Sequence, residues 1–254
     1  MKKRLIIHHN IGLGDHLICN GLVNHLSEKQ KIYLICSLRN YESVKYLYSE
    51  NNFVTVIPVP SLNILNNLIK LLIYKKGINF EKIFSKVFSF LIFSKIKYIG
   101  FEEIKFPDWD RSFYDLANLS FHIRYEKLSL PTQLPKKPRN INLEENFILV
   151  QDTSSKRKER FNLNIKSKEK KIYLNKSQTS NFFSNIYLIK NAKEIHSIDS
   201  SLVHLVEAVN GLDTKLYFHD IRKHYGDAVF SAKKDWTVVK YDKLISWGSG
   251  IKLI

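Results

Sequence analysis

The sequence predicts an α/β protein built on parallel strands, and three observations carry that reading. Short apolar runs alternate with segments of helical periodicity along most of the chain. Such alternation implies parallel strands joined by right-handed crossovers. A Pro-rich stretch, Pro131-Thr132-Gln133-Leu134-Pro135-Lys136-Lys137-Pro138-Arg139, then divides the alternation into two series. Its extended backbone suits an interdomain connection, so domains are expected over 1–135 and 136–254.

In the first series, Arg4 to His8, Lys31 to Cys36, Val54 to Pro58 and Lys97 to Gly100 are rich in Ile, Leu and Val and read as strands. Helices are expected over Asp15 to Ser27, Tyr41 to Ser49, Ser61 to Tyr74, and from Asp108 or Asp110 to about Phe121. In the second series, strands are expected at Phe147 to Gln151, Lys171 to Leu174, Glu194 to Ile198, Lys215 to His219 and Trp236 to Val239. Helices are expected over Gln178 to Asn191 and Ser200 to Val209. The final Tyr241 to Ile254 reads as a short tail whose Trp247 packs on a domain surface.

Composition narrows the function classes. The chain has 254 residues, 44% hydrophobic and 25% charged, as in a soluble globular protein with a substantial core. Met1-Lys2-Lys3-Arg4 is basic, but the apolar run behind it breaks at His8, so no secretory signal is expected. The richest apolar stretch, Val87 to Phe93, falls far below the ~20 residues of a membrane span. Cys19 and Cys36 are too few for a disulfide framework or a zinc site. A cytoplasmic location follows, with peripheral contact at the inner face of the membrane as an option.

The formal charge of +16 points to phosphate-rich partners. Lys greatly outnumbers Arg, whereas sequence-specific nucleic-acid readers lean on Arg for bidentate contacts. No zinc finger, RNA-recognition motif or helix-turn-helix is visible, so no specific nucleic acid is expected. The stretch from Leu62 to Gly100 mixes apolar residues with Lys70, Lys75, Lys76, Lys82, Lys86, Lys95 and Lys97. It fits either a basic face on an anionic bilayer or core helices with solvated Lys.

The most informative segment is His8-His9-Asn10-Ile11-Gly12-Leu13-Gly14-Asp15-His16, a Gly-rich turn between the first strand and the first helix. It lacks the third Gly of the dinucleotide fingerprint and the Gly-Lys-Ser/Thr of a P-loop. Its carboxylate, Asp15, sits in the first helical turn at the carboxyl edge of the sheet, where open α/β folds place their sites. Two readings stand side by side: a catalytic acid or base, and an acid that complements the helix dipole.

Together with a second element, Asp199-Ser200-Ser201-Leu202-Val203-His204, this opening resembles the heptosyltransferase-like glycosyltransferases of family nine, and related capsular-polysaccharide and viral glycosyltransferases. The second element is similar to that family's Asp-Ser-Gly-x-x-His, with Ser201 in place of Gly. The resemblance implies a GT-B-like architecture of two Rossmann-like domains facing a cleft. It implies transfer of a sugar from a nucleotide donor to a hydroxyl of a surface glycan or lipid-linked acceptor, with inversion and without a metal or other cofactor. The N-terminal domain would bind acceptor and the C-terminal domain the nucleotide sugar.

The resemblance puts Asp15 in the role of base for the attacking hydroxyl. Gly12, Gly14, His8 and His16 would line the acceptor cleft. Gln151-Asp152-Thr153-Ser154-Ser155-Lys156-Arg157-Lys158 is similar to the family's hydroxyl-rich loop leading to a phosphate-binding Lys. Thr153, Ser154, and Lys156 or Lys158 would then hold the donor diphosphate with Asp199, Ser200, Ser201 and His204. Ser200 is a favoured N-cap, and a helix start that is capped also binds anions. Asn175 to Thr179 offers no Glu where the family often contacts the nucleoside, so the nucleotide stays open. Asp108-Trp109-Asp110 has the look of the metal–nucleotide motif of the other major glycosyltransferase fold, but helix capping explains it more simply. The alternative from another class is a non-catalytic basic module that binds nucleic acid or an anionic membrane surface.

Overall fold

The computed structural model describes residues 3–9, 12–59, 80–92, 95–99, 108–137, 146–153, 160–174, 181–223 and 232–246. Two compact units emerge: Met1–Lys105 with Trp109–Pro131, and Phe106–Asp108 with Thr132–Ile254. The chain leaves the first unit at Pro131, inside the Pro-rich stretch.

The N-terminal unit holds β1 (Lys3–His8), α1 (Leu13–Ile18), α2 (Asn20–Ser27), β2 (Gln30–Ser37), α3 (Tyr41–Leu47), β3 (Val54–Val59), α4 (Phe80–Leu91), β4 (Lys95–Tyr98), α5 (Trp109–Leu116) and α6 (Ile123–Glu126). Its strands lie in the order β3-β2-β1-β4, all parallel. Ile6, Ile7, Ile32, Leu34 and Ile35 are fully buried, which is why β1 and β2 read as near-continuous apolar runs.

The helix expected from Asp15 starts earlier, at Leu13, and forms two consecutive segments across Cys19. The Cys19 N–H donates to the Asp15 carbonyl and the Val23 N–H to the Cys19 carbonyl, so helical bonding continues through the break. Helix α4 was absent from the expected helices. It packs Phe84 and Phe88 on the core of Ile6, Ile35 and Val59, while Ile83, Val87, Phe90 and Leu91 are exposed. Its apolar residues fall on one broad arc of the helix surface. The helix expected over Ser61 to Tyr74 lies outside the described residues.

Helix α5 stops at Leu116, short of the expected Phe121. Asn118 takes φ 54°, its N–H bonds the Asp115 carbonyl and the Leu119 N–H bonds the Tyr114 carbonyl. This is a Schellman stop with Asn in the left-handed position usually held by Gly. Asp110 begins the same helix, bonds the Arg111 N–H at 2.8 Å and forms a buried ion pair with Arg124.

The C-terminal unit holds β5 (Phe147–Gln151), β6 (Lys170–Tyr173), α7 (Ile186–Asn191), β7 (Glu194–Ser197), α8 (Ser201–Ala208), β8 (Lys215–Lys223) and β9 (Trp236–Ser246). The strand order is β6-β5-β7-β8-β9, again all parallel. A short 3₁₀ turn, Phe182–Asn185, capped by the Asn181 side chain, precedes α7, so among the described residues of the expected Gln178 to Asn191 helix only Ile186–Asn191 is α-helical; residues 178–180 lie outside the described residues. Strand β9 continues to Ser246, well past the expected Val239, and Tyr241 belongs to it rather than to a tail. Trp247 lies outside the described residues. Among the described residues, no helix is long and apolar enough to cross a membrane.

Candidate functional site

Each sheet reverses its strand order once. In the N-terminal unit the reversal falls between β1 and β4, and in the C-terminal unit between β5 and β7. Open α/β sheets bind ligands outside the carboxyl ends of their strands at such reversals. Both sequence motifs lie there: Gly12 to His16 follows β1, and Asp199 to Ser201 follows β7.

In the N-terminal unit, Gly12 caps α1 with extended backbone (φ −68°, ψ 147°), and Asp15 is the third helical residue. The half-buried Asp15 carboxylate folds back over the turn, so close that a Cβ on Gly12 would stand 2.5 Å from Oδ2. That position complements the helix start and holds the carboxylate at the sheet's carboxyl edge. Gly14 is half-buried in the same turn.

His8 and His16 do not line an open surface. Both are fully buried, as is His9. The His8 Nδ1 is 2.8 Å from the Ser85 hydroxyl of α4, and the His9 and His16 rings meet edge to face at 4.4 Å. Burial, with His9 nearby, pushes His16 well below its ordinary value; burial first, then His9 and Lys82, lowers His8 to about 4. Both are neutral packing residues near neutral pH. A strand-end His read as lining the cleft is here an interior His held through Nδ1 by Ser85, because helix α4 covers that face of β1.

In the C-terminal unit, Ser200 is the N-cap of α8: its Oγ accepts from the Leu202 N–H at 3.3 Å. The Ser197 hydroxyl donates to the Ile198 carbonyl at 2.8 Å and stands 3.2 Å from the Ser200 Oγ. With its own proton so spent, Ser197 receives the Ser200 proton, and the Ser200 hydroxyl is held in a fixed orientation. Asp199 and Ser201 are half-buried beside it. His204 is buried, one turn into the helix, and packs in the interior. Thr153 follows β5, with its Oγ1 and carbonyl receiving the Gln151 amide at 3.0 and 2.6 Å. Ser154, Lys156 and Lys158 lie outside the described residues.

Sequence reasoning missed two polar residues at this reversal. Asp152, just past β5, is only 4% exposed, and its Oδ1 has no hydrogen-bond partner among the described residues. Its Oδ2 is 3.5 Å from Arg160 Nη1, and the guanidinium lies 4.4 Å over the Tyr173 ring. Burial pushes the Asp152 carboxyl up from its ordinary value against the pull of Arg160. The group borders a cavity of about 470 Å³ lined also by Asn162 and Lys171. Asp152 was legible as an acid at a strand end; nothing in the sequence marks Arg160, eight residues on. The Asp108-Trp109-Asp110 tripeptide resolves the other way: Arg124 occupies the Asp110 carboxylate, a role for a structural ion pair.

No protein-family model and no curated protein matches the sequence. The chain is similar in structure to glycosyltransferases. The glycosyltransferase family 9 protein of Veillonella parvula shares 10% identity at a TM-score of 0.49, over 94% of this chain and 88% of its own. The E. coli heptosyltransferase WaaC, solved with ADP, shares 11% identity at a TM-score of 0.42, over 94% and 90%. The iron-containing dodecameric glycosyltransferase TibC of enterotoxigenic E. coli shares 9% at 0.48, over 86% of this chain and 58% of its own. At such identities the likeness is one of architecture alone.

Proposed function

We propose that this chain is a glycosyltransferase that moves a sugar from a nucleotide-sugar donor to a hydroxyl of a glycan or lipid-linked acceptor. One observation carries the reading: each of two parallel α/β units ends a motif strand at its order reversal, one in a carboxylate and the other in a hydroxyl-capped helix start. Sugar transfer to an alcohol needs those two chemistries, a proton acceptor for the nucleophile and an anion site for the departing diphosphate.

In this reading Asp15 takes the acceptor proton as the oxygen attacks the anomeric carbon. Its contribution comes from position, since an ordinary carboxylate is a weak base. The start of α8 receives the diphosphate, with the Ser200 cap fixing the helix start and the Ser201 hydroxyl and backbone N–H groups donating, and Thr153, Ser154 and Lys156 or Lys158 complete its neutralisation without a metal. Asp152, whose Oδ1 has no hydrogen-bond partner among the described residues, suits a hydroxyl of the donor's ribose or sugar. Attack from the face opposite the leaving diphosphate inverts the anomeric centre.

A thermal-shift panel of nucleoside diphosphates and nucleotide sugars, adenine nucleotides included, tests the donor half. Binding to the native state alone raises the melting temperature. No stabilisation by any of them, together with tight and sequence-selective nucleic-acid binding at physiological salt, would replace this reading with the basic binding module.

A further inference from the structure

We infer that Tyr114 is a positioning residue for Asp15: its hydroxyl is inserted into the helix that carries the carboxylate and sets the direction in which α1 presents it. The inference rests on the role proposed above for Asp15. A continuous helix would pair the Ile18 carbonyl with the Leu22 N–H. Here Cys19, with ψ 0°, belongs to neither α1 nor α2. The two backbone groups meet the Tyr114 hydroxyl instead, which donates to the Ile18 carbonyl at 2.7 Å and takes a hydrogen bond from the Leu22 backbone. The bonds from Cys19 to Asp15 and from Val23 to Cys19 are kept, so a single rung of the ladder is opened. A side chain that enters the ladder in this way redirects the helix axis.

The hydroxyl is held in place from several sides. Tyr114 is fully buried, and its ring meets Phe121 edge to face at 5.4 Å. Its helix, α5, is tied to α6 by the buried Asp110–Arg124 pair. In turn the Ile123 and Arg124 carbonyls of α6 lie against Gly21 of α2, so close that a Cβ there would stand 2.4 and 2.6 Å from them. The neighbouring Phe113 contacts the His9 ring at 6.3 Å, and His9 meets His16 of α1 at 4.4 Å. Asp15 thus sits beside two supports, the His16–His9 contact and the Ile18–Tyr114 bond. At six residues α1 is too short to be stable alone, so its direction is set by what it touches. Asp15 lies about 4.5 Å along the axis from Ile18, so a tilt of ~15° there carries it about 1 Å. A misplacement of ~1 Å can cost about 10²-fold in rate.

Tyr114→Phe tests this, because it keeps the ring and removes only the hydroxyl. The Ile18 carbonyl and the Leu22 N–H then bond each other directly. A crystal structure of the variant should show Cys19 inside one continuous helix and the Asp15 carboxylate displaced by about 1 Å or more relative to β1. Turnover of the nucleotide sugar selected by the thermal-shift panel, read as nucleoside diphosphate released, should fall about tenfold or more, with the donor-induced thermal shift unchanged. Since Tyr114 acts through Asp15, adding Tyr114→Phe to Asp15→Asn should lower turnover no further. A general loss of structure would instead add to the Asp15→Asn effect. An unmoved Asp15 in the variant, full turnover by it, or additive losses would each overturn the inference. Failure of the glycosyltransferase reading shows separately: Asp15→Asn would then keep full turnover, while the crystallographic displacement in Tyr114→Phe would remain.

Discussion

His196 Nδ1 stands 2.9 Å from His219 Nε2, and the two imidazoles form the middle of a hydrogen-bonded chain. His196 Nε2 is 3.1 Å from the Glu194 carboxylate, His219 Nδ1 is 2.6 Å from the Tyr241 hydroxyl, and that hydroxyl accepts from the Asn164 N–H. With both imidazoles neutral and the carboxylate accepting, one proton arrangement satisfies every link: Tyr241 O–H donates to His219, His219 to His196, and His196 to Glu194. A further proton on either ring deprives the Tyr241 hydroxyl of its acceptor.

Acid should therefore destabilise the C-terminal unit. Burial pushes His196 below its ordinary value, with Lys171 adding to it and Glu194 opposing; burial and then His196 lower His219 to about 4. Between the ordinary His value near 6.5 and about 4, the unfolded chain binds more protons than the folded one. Stability is full above that window and falls as pH drops through it, with His8 and His16 acting in the same direction in the N-terminal unit. Urea midpoints measured from pH 7.5 to 4.5 check this. His219→Gln should flatten the profile, and an unchanged slope would remove the pair from the acid response.

Asp15→Asn keeps the size of the side chain but removes its basic oxygen. Turnover is expected to fall about 10²-fold or more with donor binding nearly unchanged. Gly12→Ala places a Cβ 2.5 Å from the Asp15 carboxylate, which must swing away. It should also lower turnover, with little loss of stability, since only the end of a side chain moves. Steady-state kinetics beside thermal melts separate these effects; a fully active Asp15→Asn variant would end the base assignment.

Gly21→Ala should act on stability alone. Its added Cβ would meet the Ile123 and Arg124 carbonyls of α6 at 2.4 and 2.6 Å, backbone that cannot retreat cheaply. Overpacking of that kind costs about 1–3 kcal/mol, readable as a lower urea midpoint. A neutral outcome would mean that α6 does not pack on α2 in solution.

Arg124→Met leaves the Asp110 carboxylate buried without its partner, a change that costs about 3–5 kcal/mol. Adding Asp110→Asn should restore much of the loss, since the uncompensated charge then disappears. Chemical denaturation of the single and double variants checks both statements.

Glu207, buried in α8, accepts from the Lys233 N–H at 2.7 Å and from the Trp236 indole N–H at 2.8 Å. Glu207→Leu strands those donors and should cost about 1–3 kcal/mol. Trp236 fluorescence should shift at the same time, because its indole loses a charged partner.

The sequence by itself determined the strands and the place of both motifs. Phe147–Gln151 and Glu194–Ser197 read as strands because parallel strands buried on both faces must be apolar throughout, a local property. Gly12, Asp15 and Ser200 were legible because turns and caps demand particular residue types within a few positions. Only the tertiary structure decided the strand orders, since any apolar strand can pair with any other, and with them which strand ends meet at a reversal. Burial of His8 and His16, the Arg124 partner of Asp110 and the Asp152–Arg160 pair likewise required the fold. A side chain's charge and exposure depend on neighbours distant in sequence, and no local pattern records them.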